Sequence, residues 1–326
     1  MSITKYAGIL FILGFVFPAF AADDQPHKVQ ELEITILSTM MTQVGIGEWG
    51  FAALVEADGH RILFDTGLRP DTVLLNARRM KIDLSSVEEV VLSHNHGDHT
   101  GGLVTLRKEL AAANDDAMRT AHVAQGIFWE RPGASAAWAM PPRKAEFEAA
   151  GGHFVVHDQA AEIHPGVWLT GQVPRRHPEK NYGAWVDGEH RVGQVRSPEG
   201  LIDDDIPESM SMVINTDKGL VVISGCGHAG LVNTLEYATE ITGTAKIHAA
   251  IGGFHLLQAS DANLQWTANK LVDLELGNLV GAHCTGLEPV YRLRELVHLD
   301  RSTAVVGATG ASFSLEGGIE PLSLAR

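Results

Sequence analysis

The sequence predicts a layered α/β sandwich, and three observations carry that expectation. Strand patterns joined by tight turns come first, and helical and strand patterns alternate through the last third of the chain. Hydrophobic residues make up 45% of 326 residues and run through the whole length, enough for a large core. No repeat, low-complexity tract or long linker divides the chain. The same composition excludes other classes. Disorder needs low hydrophobicity, and a disulfide scaffold needs far more than two cysteines. Forty acidic residues against 25 basic ones leave a net charge of −15, whereas binding a phosphate backbone requires clustered Lys and Arg. Nucleic acid is therefore not an expected partner.

The chain opens with one cation, Lys5, then an apolar run over 7–17, Pro18 and the small-x-small triplet Ala19-Phe20-Ala21. That order predicts a signal peptide over 1–21, removed after Ala21, and hence a periplasmic or secreted protein. The run is shorter than the roughly 20 apolar residues a bilayer-spanning helix needs. No cysteine follows it for a lipid anchor, so no membrane contact is expected after cleavage.

The mature part, 22–326, begins with strand patterns over 33–38, 50–56 and 60–65, the last two joined at Ala57-Asp58-Gly59 as a hairpin. A helical pattern covers 71–79 and a short apolar strand covers 87–93. Residues 103–200 read as a long insertion of fragments, with a helix over 144–150 and a strand over 152–157. From 209 the rhythm is regular: strands over 211–216 and 220–224, a helix over 231–242, a strand over 246–251, a helix over 262–276, a strand over 279–282, a helix over 287–298 and a strand over 303–306.

The strand over 87–93 runs into His94-Asn95-His96-Gly97-Asp98-His99-Thr100-Gly101-Gly102. Three imidazoles and a carboxylate within six residues converge only if the chain turns sharply, which the glycines permit. Imidazole nitrogen and carboxylate oxygen are the ligands of Zn²⁺ and its neighbours, so this loop predicts a divalent metal site. Cys226 and Cys284 each lie beside a histidine in a Gly-rich loop, consistent with a metal neighbourhood or a disulfide.

Phe64-Asp65-Thr66-Gly67 upstream of His94-x-His96-x-Asp98-His99 resembles the metallo-β-lactamase superfamily, whose fold is a four-layer αβ/βα sandwich and whose members are mostly dinuclear metal hydrolases. The motifs 47–51, 169–174, 225–230, 252–256 and 283–286 resemble the branch named after 7,8-dihydropterin-6-methyl-4-(β-D-ribofuranosyl)-aminobenzene-5′-phosphate synthase. That name belongs to cofactor biosynthesis in cytoplasmic settings, so fold and site carry over to an exported chain and the substrate does not.

The resemblance implies two metals per chain, zinc first, with Mn²⁺ or Fe²⁺ sharing the same ligand types. It assigns His94 and His96 to one metal, Asp98, His99 and His283 to the other, and Asp65 to a carboxylate that orients an imidazole ligand. Departures from the pattern leave Asp205 or His228 as the third ligand of the first metal, His228 being favoured because neutral imidazole suits zinc. The bridging position falls to the Cys226 thiolate or to hydroxide alone. His255 matches a non-ligand histidine that assists the leaving group, which makes Asp98 and His255 the expected catalytic residues.

Metal-activated hydroxide acting on a phosphoester, ester or lactone is then the expected chemistry, with a small molecule as substrate. A β-lactamase is the alternative enzyme. A metal- or small-molecule-binding protein without turnover is the alternative of another class, because the usual bridging Asp is missing. The basic turn formed by Arg175, Arg176, His177 and Lys180 reads as a solvated face that could also attract an anion.

Overall fold

The computed structural model describes residues 26–134, 139–186 and 189–323, so the segment read as a signal peptide lies outside the described residues. Two sheets pack face to face. The first has eight strands in the spatial order Gly318–Glu320, Ser312–Ser314, Leu32–Ser38, Ala52–Ala57, His60–Phe64, Glu89–Val91, Thr120–Ala124 and His153–His157. The second has seven, in the order Ala304–Val306, Asn278–Gly281, Ile247–Gly252, Gly219–Ser224, Ser211–Thr216, Val167–Leu169 and Ala161–His164.

Successive strand residues face opposite sides, and the cores divide accordingly. Ala53, Val55, Ile62 and Phe64 meet Val221 and Ile223 of the other sheet in the central core. Their neighbours Leu54 and Leu63 face outward, against helices α1 (Thr72–Met80), α3 (Leu103–Ala111) and α4 (Met140–Ala149). The short α2 (Gly97–Thr100) lies between α1 and α3 in the chain. On the far side Leu220 and Val222 pack against α5 (Leu231–Thr242), α6 (Asp261–Asp273) and α7 (Leu287–Leu296). The result is the predicted αβ/βα sandwich. Strands covered on both faces cannot alternate apolar with polar residues, which is why Gly219–Ser224 is buried throughout.

The stretch 103–200 contributes to the frame itself. Helices α3 and α4 and four strands of the two main sheets come from this stretch. Only two small ladders, Ala184–Val186 with Glu189–Arg191 and Gln194–Ser197 with Gly200–Asp203, stand apart from the main sheets. The strand read over 152–157 is the edge strand His153–His157, whereas Thr120–Ala124, Ala161–His164 and Val167–Leu169 were not read from the sequence. Register then sets the site. Phe64 lies level with Val91, and Ser224, Gly252 and Gly281 form a row, so the loops that follow these strands leave both sheets at one rim.

Candidate metal centre

Each of those loops delivers a side chain to the same place. His94 and His96 precede α2, Asp98 and His99 lie within it, Cys226 and His228 follow Ser224, His255 follows Gly252 and His283 follows Gly281. Asp65 (φ 58°), His255 (φ 48°) and His283 (φ 47°) all occupy the left-handed region, which side-chain-bearing residues adopt only when their surroundings enforce it. Gly225 is required by close approach: a Cβ there would lie 2.1 Å from the Ser93 Oγ and 2.5 Å from the Asp65 Oδ2.

Two ligand sets result. The ligand atoms of His94, His96 and His228 lie within 4.8 Å of one another, and so do those of Asp98, His99 and His283. Cys226 stands between them, its Sγ 3.1 Å from the His99 Nε2 and 3.2 Å from the Cys284 Sγ. His283 Nε2 approaches Asp98 Oδ2 to 3.2 Å without hydrogen-bond alignment, as two ligands of one ion do. The Nε2 atoms of His94 and His228 are likewise buried without a hydrogen-bond partner. Leaving such atoms unpaired costs about 1–3 kcal/mol each, so their convergence fits a divalent cation.

The other ring nitrogens of His94, His99 and His228 are occupied. His99 Nδ1 lies 2.7 Å from Asp65 Oδ2, whose carboxylate also accepts from the Ser93 backbone N–H and hydroxyl at 2.7 Å each. Ser93 Oγ is 2.9 Å from His94 Nδ1, and the Asn181 carbonyl accepts from His228 Nδ1. Each contact turns Nε2 toward the cavity, the usual arrangement around a metal-bound histidine. Asp65 thus stands behind His99.

Electrostatics agree. Burial drives His94 and His228 well below the ordinary imidazole range and His96 to about 4, so all three present neutral nitrogen. At the second set burial would raise Asp98, but His99 and His283 hold it well below the usual carboxylate range. Burial would lower His99, yet Asp65 and Asp98 outweigh it and bring it up to about 9. Two carboxylates therefore favour positive charge at the second ligand set.

Asp205 is the expected alternative ligand that the structure places elsewhere. Its Oδ2 pairs with Arg175 Nε at 3.1 Å and it joins no ligand set, because the turn at Ile206 (φ 58°) carries it to the guanidinium. Arg175 also donates to the His228 carbonyl at 2.6 Å, so Asp205 braces the His228 loop through that arginine. His255 lies beside the ligands, its ring 4.8 Å from that of His228, and belongs to no ligand set. Burial, then His283, lowers it to about 4.

A cavity of about 440 Å³ opens over the cluster, walled by Trp49, His96, Asp98, Cys226, His228, His255, His283 and Cys284. Trp49, whose ring centroid is 4.8 Å from that of His283, was not among the expected site residues, while Cys284, read as part of a metal neighbourhood or a disulfide, is a free buried thiol at the cavity wall. The five-residue motif around Trp49 was the available signal. Glu48 fixes the Trp49 loop, accepting from Ser38 Oγ and Thr72 Oγ1 at 2.8 Å each and from the Leu68 N–H at 2.9 Å.

The profile of the metallo-beta-lactamase superfamily matches residues 50–283, which include all the gathered ligands. The chain belongs to the metallo-β-lactamase superfamily. Within it the chain is 30% identical over 272 residues to 7,8-dihydropterin-6-methyl-4-(beta-D-ribofuranosyl)-aminobenzene-5'-phosphate synthase of Methanocaldococcus jannaschii, covering 80% of this chain and 90% of that one. A solved metal-dependent hydrolase of the beta-lactamase superfamily superposes with a TM-score of 0.67 at 27% identity, covering 86% of this chain and 98% of that one. Zn²⁺-bound PqqB from Methylobacterium extorquens shares the fold at a TM-score of 0.51 and 15% identity, covering 87% of this chain and all (100%) of that one.

Proposed function

We propose that the protein is an exported dinuclear metal-dependent hydrolase that cleaves a phosphoester, ester or lactone. The observation that carries this reading is the pair of ligand sets, His94/His96/His228 and Asp98/His99/His283, meeting at one cavity with orphaned imidazole nitrogens pointing inward. Likeness to a metal-dependent hydrolase and to a phosphate-compound synthase supports it. The leader pattern over 1–21 supports export.

The first set would hold one cation and the second the other, with Cys226 between them; imidazole-rich ligation favours zinc. When bound, the two ions make water nucleophilic near neutral pH and polarise the scissile carbonyl or phosphoryl group. The chain's own residues do the rest. Asp65 keeps the His99 ring oriented, the Asn181 carbonyl does the same for His228, and Trp49 walls the His283 side of the cavity. His255, lowered to about 4 by burial and then by His283, meets the substrate as neutral imidazole. It donates an N–H hydrogen bond to the departing oxygen, the role a histidine of depressed pKa fills when it polarises a substrate without being charged.

Turnover of phosphodiester, lactone and cephalosporin reporters by metal-loaded protein tests the reading. Hydrolysis of a phosphoester, ester or lactone, reduced at least about 100-fold in both His96→Ala and Asp98→Ala, is the expected result. Preference for the cephalosporin would make the protein a β-lactamase, and no turnover by fully metallated protein would make it a binding protein.

A further inference from the structure

Two further cavities adjoin the metal cavity, one at His96 and the other at His255, and differ in chemistry. One, of about 490 Å³, shares His96 with it and is walled by Ile127, Trp129, Met140 and Pro141. Its charged residues are paired away: Arg131 binds Asp204 at 2.7 Å and Glu208 at 2.7 Å, and Glu130 pairs with Arg196 at 3.1 Å. The other, of about 360 Å³, shares His255 and presents Lys180, Tyr182, Gln258, Ser260 and Asn263.

Among the described residues no carboxylate lines this second cavity, although the chain carries 40 acidic residues against 25 basic ones. The basic turn supplies its cation selectively. Arg175 is taken by Asp205 (3.1 Å), Arg176 by Glu240 (2.6 Å) and His177 by Glu236 (2.8 Å). Lys180 has no ion-pair partner among the described residues and stands at the cavity wall. An unpaired ammonium among neutral donors, with no acidic group among the described lining residues, is a surface for an anion.

Resting on the hydrolase reading, we propose that the substrate is bipartite: an apolar acyl or aryl body in the Trp129 cavity, and a leaving alcohol carrying an anionic group in the Lys180 cavity. The polarity is fixed by His96 and His255. The apolar cavity opens beside a metal ligand, where the carbonyl or phosphoryl centre sits, and the polar cavity opens beside the imidazole that faces the departing oxygen. In the balanced step, water oxygen bonds to the acyl carbon or phosphorus and the bond to the leaving oxygen breaks. That oxygen, hydrogen-bonded by His255, departs with a proton from the water, giving an acid and an anionic alcohol.

Four probes test this with metal-loaded, full mature protein: hexanoyl and acetyl esters of phenol and of 3-hydroxybenzoate, whose leaving groups differ mainly in the distant carboxylate. The hexanoyl ester of 3-hydroxybenzoate is expected to be the best substrate, with kcat/KM about five- to tenfold above that of hexanoyl phenol. Lys180→Ala should remove that preference by raising KM, leaving kcat and the phenol ester unchanged, and added salt should shrink it in the wild type only. Trp129→Ala should reduce the advantage of hexanoyl over acetyl without touching the Lys180 effect. Turnover with no preference for the carboxylate, or a preference that survives Lys180→Ala, overturns the proposal while leaving the hydrolase reading in place. No turnover of any ester or phosphodiester by two-metal protein overturns both.

Discussion

Asp65 serves three donors with two oxygens, tying Ser93, next to His94, to His99. Asp65→Asn removes the charge that steadies the His99 imidazole and is expected to weaken the second metal site by about 10–100-fold, read by metal titration. Unchanged affinity would show that His99 needs no such orientation. At this scale the sequence was legible where ligands are local: His94, His96, Asp98 and His99 crowd into six positions. His228 and His283 lie far down the chain, and only a family resemblance joined them to that loop. The Asn181 carbonyl that orients His228 has no side-chain signature at all. Asp205 was weighed as a ligand because its slot in the pattern suggested it, but the local turn gives its carboxylate to Arg175.

Helix α5 shows how elements position ligands. Its N-cap is Gly230, which has no capping side chain, and Glu179 from a distant loop fills the role by accepting from the Val232 and Asn233 N–H groups at 3.1 and 2.9 Å. Glu179→Ala should cost about 1–2 kcal/mol in denaturant unfolding and weaken metal binding at His228, because the same loop carries Asn181. A second cross-link acts far from the metals. Glu89 in the first sheet binds His122 and, across the sandwich, His164 of the second. Burial would raise its carboxyl, but the hydrogen bonds from His122 and His164 outweigh it and bring it down from 4.5 to about 2. A carboxylate depressed in the folded state adds stability above its unfolded value and loses it as pH falls toward the folded one. Glu89→Gln should therefore flatten the fall of Tm between about pH 5 and pH 2; an unaltered acid limb would contradict this. The helix read over 231–242 coincides with α5 and the strand read over 211–216 with Ser211–Thr216, whereas α3 was not read and α4 only in its second half. The short strands Ala161–His164 and Val167–Leu169, and the hairpin Ser312–Ser314 with Gly318–Glu320 that returns to the first sheet, depend on distant partners and were not legible.

At the scale of the whole molecule, two sheets with their helices outside bring strand ends from both halves of the chain to one rim, and there the two candidate ligand sets converge. The layered class was legible because buried strands are apolar on both faces, so their composition survives without knowledge of pairing. How much of 103–200 joins the frame was not, since that depends on which edges remain open. The proposed hydrolytic chemistry depends on the number of cations this rim holds. Metal content per chain, measured by elemental analysis on mature protein purified without chelator and supplied with divalent metal, tests it most directly. About two ions per chain in the wild type and about one in His96→Ala, with unchanged circular dichroism, is the predicted result; one ion or none in the wild type would contradict it.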